Sequence, residues 1–368
     1  LDVPGADLTG TRIMSTRPVG VFGGHRFALA PDSDNFFADH MVEQILPLNT
    51  WGNLYIAPPL DTRDETWYRV LAAEDNTDVT IYPTDPFITT IDGTVYFGTS
   101  SSHSLNAGEV FEFRTKSAVW VRGDQRIHVS QISPSADFDG NMTSDPFMIS
   151  LQPSNSWMNS YTLCRPPQED WPVQRLGLII VGNSDYIATV SINNTIVQVG
   201  GNKSFEVNSP LQLPDGLLLL WATIDLAAFE DATCIHIQAA LPFALTSYGF
   251  DEFEGYGNTG GMMWDDVPPE VVTPLQITHR CEGVDANGEC SYPTPNVLAA
   301  SSWSDNCVPN SLLSATQVPR VGTPLGVGNH IVTVRVADTF GAGQVGIGQT
   351  IITVLPPWEE EFFPTGTD

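Results

Sequence analysis

Short runs of β-branched and aromatic residues, each cut off by Gly, Asn, Asp, Ser or Pro, recur along most of this sequence and leave little room for anything but a β fold. TWYRVLAAE, TDVTIYP, GTVYFGT, EVFEFRT, AVWVRG and RIHVSQI follow one another between residues 66 and 132. They are spaced at roughly eight to fifteen residues, as sandwich strands are. Helical periodicity is nearly absent. One stretch, ADHMVEQI (38–45), reads as a short helix, with Asp39 as its cap and Met41, Val42 and Ile45 on one face. The expected class is all-β, built as tandem β-sandwich domains.

An internal echo suggests duplication. The strand carrying Arg126-Ile-His-Val129 and the one carrying Cys234-Ile-His-Ile237 would place His128 and His236 at equivalent positions, more as packing features than as a ligand pair. Two sandwiches of similar plan, 1–150 and 151–265, are the economical division. The acidic, Pro-rich DDVPPEVVTP (265–274) reads as a linker, because proline favours extended chain and donates no ladder hydrogen bond. A third domain is expected over 266–356, and the acidic, aromatic tail 357–368 is either a linker or a strand donated to a neighbour.

Charge narrows the function classes. With 15 basic against 43 acidic residues the chain carries a formal −28, so phosphate backbones and anionic lipid repel it. No run approaches the ~20 apolar residues of a membrane helix. The sequence opens at Leu1, without Met or a signal-like stretch, as a processed or excised piece would. Its five cysteines include no CxxC pair. The sequons at Asn141, Asn193 and Asn202 would accept glycans in a secreted eukaryotic protein.

The densest cluster of chemistry is SADFDGNMTSDPF, 135–147. An EF-hand starting at Asp137 fails, since Met142 and Met148 occupy positions that require Gly and a bidentate acid. A looser calcium turn would use Asp137, Asp139 and Asp145. The competing expectation is an exposed loop between strands, with a sugar on Asn141. Asp32, Asp34, Asp39, His40 and Glu43 offer a weaker metal set that reads equally as a solvated helix start. Asp285 and Asn287 shape a tight hairpin. No GxSxG, P-loop or GxGxxG occurs, and His103 has serines beside it only in sequence. The expectation is therefore that the chain is not an enzyme, with calcium the one cofactor left open.

RPVGVFGG, ADHMVEQILP and WGNLYIAPP within 17–59, then AAEDNTDVTIY, LNAGEVFEF, DPFMISLQPSNSW and PFALTSYGFDEFEGYGNTGG, resemble the IgG-Fc-binding-protein N-terminal domain family over 1–262. Cysteines common in that family near Phe27 and Ala38 are missing here. Residues 268–355, through VPPEV, DANGEC, SDNC and LGVGNHIVTVRVADTFGAG, resemble a hyalin-repeat (HYR) module, which implies a C-terminal immunoglobulin-like sandwich. A cysteine expected near Val345 is absent. These resemblances imply a bridge between Cys164 and Cys234 and another between Cys290 and Cys307, with Cys281 left over; pairing of Cys281 with Cys290 or Cys307 stays open.

The resulting expectation is an extracellular or cell-surface structural and adhesive protein, a segment of a matrix or filament assembly. Its partners would be other copies of itself, other matrix proteins or glycans. The alternative is a discrete recognition module for glycans, mucins or immunoglobulin-like partners.

Overall fold

The fold is all-β, and antiparallel ladders account for nearly every element. The computed structural model describes residues 7–31, 34–83, 87–89, 95–97, 100–167, 169–181, 189–196, 205–207, 211–212, 218–229, 234–261, 268–284, 288–305, 310, 313–338 and 344–357. The chain divides into two units, Leu1–Trp264 and Asp265–Asp368.

The first unit opens with a two-stranded ribbon, β1 (Val21–Ala28) against β2 (Asp39–Ile45). Here the expected helix is a strand. Asp39, Met41 and Glu43 are half-buried while His40, Val42 and Gln44 are exposed, so the burial period is two. Two of the three apolar positions that suggested a helix, Met41 and Ile45, fit that alternation equally well. β1 supplies the hydrogen-bond partners that decide the matter.

Nine strands form the first sheet: β3 (Gly52–Ala57), β4 (Thr66–Ala72), β5 (Thr77–Pro83), β6 (Phe87–Thr89), β7 (Val95–Phe97), β8 (Ser101–Leu105), β9 (Val110–Thr115), β10 (Val119–Ile132) and β11 (Met148–Ser150). Their order is β7-β6-β9-β4-β10-β5-β8, with β3 and β11 also on β10. Another nine form the second sheet: β12 (Met158–Cys164), β13 (Val173–Val181), β14 (Ser191–Ile192), β15 (Thr195–Ile196), β16 (Phe205–Val207), β17 (Leu211–Gln212), β18 (Leu218–Asp225), β19 (Cys234–Asp251) and β20 (Glu254–Thr259). Their order is β15-β14-β19-β13-β18-β16, with β12 and β20 on β19 and β17 on β18.

The two sheets share one plan. In each, a single long strand pairs near its start with two short strands (β3 and β5 on β10, β12 and β14 on β19) and near its end with two others (β4 and β11, β13 and β20). A local device repeats as well. Pro47-Leu-Asn-Thr-Trp-Gly-Asn-Leu-Tyr55 and Pro153-Ser-Asn-Ser-Trp-Met-Asn-Ser-Tyr161 each form a 3-10 turn leading into a strand. The Tyr55 hydroxyl donates to Ile127 O (2.8 Å) and accepts from Gly52 N–H; the Tyr161 hydroxyl donates to Phe243 O (2.7 Å) and accepts from Met158 N–H. Each tyrosine thus ties the start of one strand to the middle of the long strand beside it. The histidine equivalence does not hold. His236 lies opposite Thr162 in the register that puts Trp120 opposite Ile56, so Trp120 is its counterpart and His128 sits further along β10.

The second sheet keeps a core of its own around Tyr161, Leu178, Ile237 and Phe243, but the core of the first sheet also draws on it. Tyr248 and Phe250 of β19 belong to the core built from β3, β4, β5, β9 and β10. Asp61 N–H donates to the Tyr248 hydroxyl at 2.9 Å, and Arg175 Nε donates to the Asp61 carboxylate at 2.7 Å. β20 passes close to the segment entering β11: a Cβ on Gly255 would lie 2.5 Å from Asp145 O, and one on Gly257 would lie 2.4 Å from the Phe147 ring. Only glycine permits that approach. Residues 1–264 therefore form one compact unit with two core clusters, the first of which spans both sheets.

In the second unit β22 (Gln276–Arg280) runs parallel to β29 (Val345–Leu355), which pairs with β28 (Gly328–Asp338) and so with β26 (Leu313–Val318). A second sheet holds β23 (Gly283–Val284), β24 (Cys290–Pro293) and β27 (Pro324–Gly326), and β21 (Glu270–Val272) pairs with β25 (Ser302–Ser304). β21 falls inside the stretch expected to be linker, and Val271 packs on the core. Val332, Val334 and Val336 are fully buried while Ile331 is 59% exposed, as strict alternation demands.

Candidate functional site

The acidic loop is a knot, not a ligand cage. Ala136–Asp139 form a single helical turn (α1), closed by Gly140 at φ 72°. Asp139 grips the buried Arg63 guanidinium from both oxygens, Oδ2 to Nε at 2.8 Å and Oδ1 to Nη2 at 2.9 Å. It also accepts from the N–H groups of Asp64 and Asn141. Arg63 further donates to Ser135 O at 2.8 Å and to the Ser144 hydroxyl. Asp137 accepts from Phe36 N–H at 2.8 Å and Phe37 N–H at 3.4 Å, which fastens the connection between β1 and β2. Two of the three proposed calcium ligands therefore serve internal donors. Among the described residues no three His, Cys, Asp or Glu side chains are placed to hold a metal ion.

Asp145 stands apart. It is 4% exposed, and its Oδ1 is buried without a hydrogen-bond partner. Burial first, then the like charges of Asp39 and Glu254, push its carboxyl up to about 7, against the pull of Arg63. Glu43, facing inward from β2, is also raised to about 7 by burial, although it hydrogen-bonds Ser150. Both groups hold protons near neutrality.

The remaining predicted residues scatter. Asn141 donates from Nδ2 to Thr62 O (3.1 Å) and accepts from the Thr143 hydroxyl (2.8 Å). Asn193 sits at φ 47° in the β14–β15 hairpin, and its Oδ1 accepts from His236 N–H at 2.9 Å. Asn202, Asp32, Asp285, Asn287 and Cys307 lie outside the described residues. His40 Nδ1 meets the neighbouring Asp39 carboxylate at 3.0 Å. His103 stacks on Phe111 with ring centroids 3.6 Å apart.

The cysteine reading is corrected at two points, the partner of Cys290 and the expected Cys164–Cys234 bridge, which is not formed. Cys290 is bonded to Cys281, not to Cys307, with Cα atoms 5.7 Å apart. The β23–β24 hairpin and the Glu282 N–H to Ser291 O bond (3.0 Å) bring the two chains together at that point. Cys164 and Cys234 face each other across β12 and β19 as exposed, unbonded thiols.

Sequence reasoning overlooked the ribbon. Its inner side rests on the first sheet's flank through Met41, against Ala30, Trp67 and Ile132. Its outer side is apolar and bare: Phe22 is 68% exposed, Val42 59%, Phe27 64%, and Phe36, in the connection between the strands, 84%. Among the described residues β1 and β2 pair with no third strand, so each has an edge outside any ladder. The exposed segment leading into β1 adds Met14, 80% exposed. From Leu8 to Pro31 the chain contains Arg12, Arg17, His25 and Arg26 and no Asp or Glu, an isolated cationic stretch in a chain of net charge −28. That reversal of charge was the signal available in the sequence.

The pattern of the family described as "IgGFc binding protein" matches residues 3–249. The chain belongs to the IgGFc-binding protein family. The human IgGFc-binding protein is 23% identical over 281 residues, which cover 76% of this chain and 4% of that protein. DPFMISL, inside the matched range, meets GFDEFEGYGNTGG, which lies almost wholly beyond it, where Gly255 and Gly257 pass Asp145, Phe147 and Ile149. The family match ends before the second unit begins. No helix among the described residues is long and apolar enough to cross a membrane.

Proposed function

We propose that this chain is a non-enzymatic, structural and adhesive segment of an extracellular assembly, working through surface contact. The observation that carries this reading is the ribbon. A bare apolar face, two free sheet edges and a local positive charge on an otherwise acidic protein together make a docking surface. The Cys281–Cys290 disulfide fits an oxidising compartment outside the cell. The hyalin-repeat resemblance of the second unit adds the immunoglobulin-like architecture common among adhesive modules.

The test is sedimentation velocity and negative-stain imaging of the purified chain over a wide concentration range. Concentration-dependent oligomers or filaments are expected. A second reading, a discrete recognition module for immunoglobulin-like, mucin or glycan partners, draws on the name of the human relative. A chain that stays monomeric yet binds IgG Fc or an arrayed glycan saturably would favour it and displace the first.

A further inference from the structure

We infer that the β1–β2 ribbon is the acceptor for the acidic, aromatic segment Trp358-Glu-Glu-Glu-Phe-Phe363 of a second copy of this chain. The inference rests on the self-assembling reading above and names its contact. Charge is the first argument. The ribbon's outer side presents Phe22, Gly24 and Arg26 from β1 and His40, Val42 and Gln44 from β2, with no carboxylate among them. Glu43 and Asp39, the acids on β2, are half-buried. Arg12 and Arg17 extend the cationic surface along the exposed approach to β1. The segment 358–363 carries Glu359, Glu360 and Glu361 between Trp358 and the Phe362–Phe363 pair, so charge and apolar character both match.

Backbone geometry is the second argument. Six extended residues span about 20 Å, the length of a strand such as β1 or β2. Among the described residues neither ribbon strand forms a ladder with a third strand, which leaves an edge at which a guest strand can add. Pro356 and Pro357 follow β29 and donate no ladder hydrogen bond, and Pro364 follows the segment, so prolines bracket it in sequence. The donor and acceptor surfaces differ, so copies can add to one another head to tail.

The experiment uses the full chain and a fluorescein-labelled peptide of residues 357–368. The peptide should bind the full chain saturably by anisotropy, and excess peptide should reduce the chain's self-association in sedimentation velocity. Glu359→Gln, Glu360→Gln and Glu361→Gln together should weaken association about tenfold, as should raising salt, because three exposed charge pairs are lost. A Glu360→Pro peptide should bind worse than wild type at equal length and nearly equal charge, since proline blocks the strand ladder. Arg12→Glu, Arg17→Glu and Arg26→Glu in one chain should abolish its binding of the wild-type peptide, since that chain loses only the acceptor. A peptide bearing Glu359→Arg, Glu360→Arg and Glu361→Arg should restore it, which separates a charge match from misfolding. Self-association that ignores every one of these changes overturns the inference while leaving the assembly reading intact. A chain that stays monomeric because its own segment fills the ribbon, or that binds only acidic glycans there, overturns both.

Discussion

Substituting Asp139→Ala tests whether the acidic loop is structural. Arg63 has a fully buried side chain, with Asp139 bidentate on its guanidinium. Removing the carboxylate leaves a buried cation without its main counter-ion, a loss of about 3–5 kcal/mol where it has been measured. Asp64 and Asn141 lose an acceptor for their N–H groups as well, so the upper half of that range applies. For a unit of this size each kcal/mol lowers Tm by about 2–4 °C, so a fall of roughly 10 °C or more is expected. The buried indoles of Trp51, Trp67, Trp120 and Trp157 report the transition of this unit in urea or on heating. The double substitution Arg63→Met with Asp139→Leu should recover part of the loss, because it removes the stranded charge but not the two unpaired N–H groups. A loss under about 1 kcal/mol for Asp139→Ala would refute the account and return Asp139 to the surface charges, which contribute little.

Gly257→Ala pushes a methyl into the Phe147 ring and should cost about 1–3 kcal/mol, read as a lower urea midpoint, whereas Gly140→Ala meets no atom within 4 Å and pays only for its left-handed φ. Asp145 and Glu43 have folded pKa values raised above the ordinary carboxylate range to about 7, so their contribution is fully present below about pH 4 and is lost as pH rises through 7. Urea unfolding at pH 5 and pH 8 should show lower stability at the higher pH, a slope that Asp145→Asn reduces. Cys164 and Cys234, opposed in register, should form a cross-strand bridge when glutathione disulfide accepts their electrons, with two glutathiones released per bridge. Peptide mapping without reductant checks this, and two alkylated thiols after that treatment would count against it.

The strand pattern was legible because alternation and turn residues are local properties, and the valines of β28 alternate in burial as their spacing requires. ADHMVEQI was misread because its apolar spacing suits both periods, and only the pairing with β1 tells them apart. The repeated Pro-x-Asn-Ser/Thr-Trp-x-Asn-x-Tyr was there to be read at 47–55 and 153–161, yet the Ile-His echo drew attention to the wrong register. Arg63 and Asp139 lie 76 residues apart, and nothing local announces that one answers the other. The ribbon's exposure was hidden for a similar reason: hydrophobic residues look like core until the fold shows which of them have no neighbour.

Because Tyr248 and Phe250 of β19 are lodged in the interior of the first sheet, the first half of residues 1–264 has no finished core once the second is gone, whereas the second keeps a cluster of its own. Under tension, loss of the second sheet should bring the first down with it, while loss of the first should leave the second standing. In a chain that bears load outside cells, the order in which the halves yield would then set the mechanical threshold.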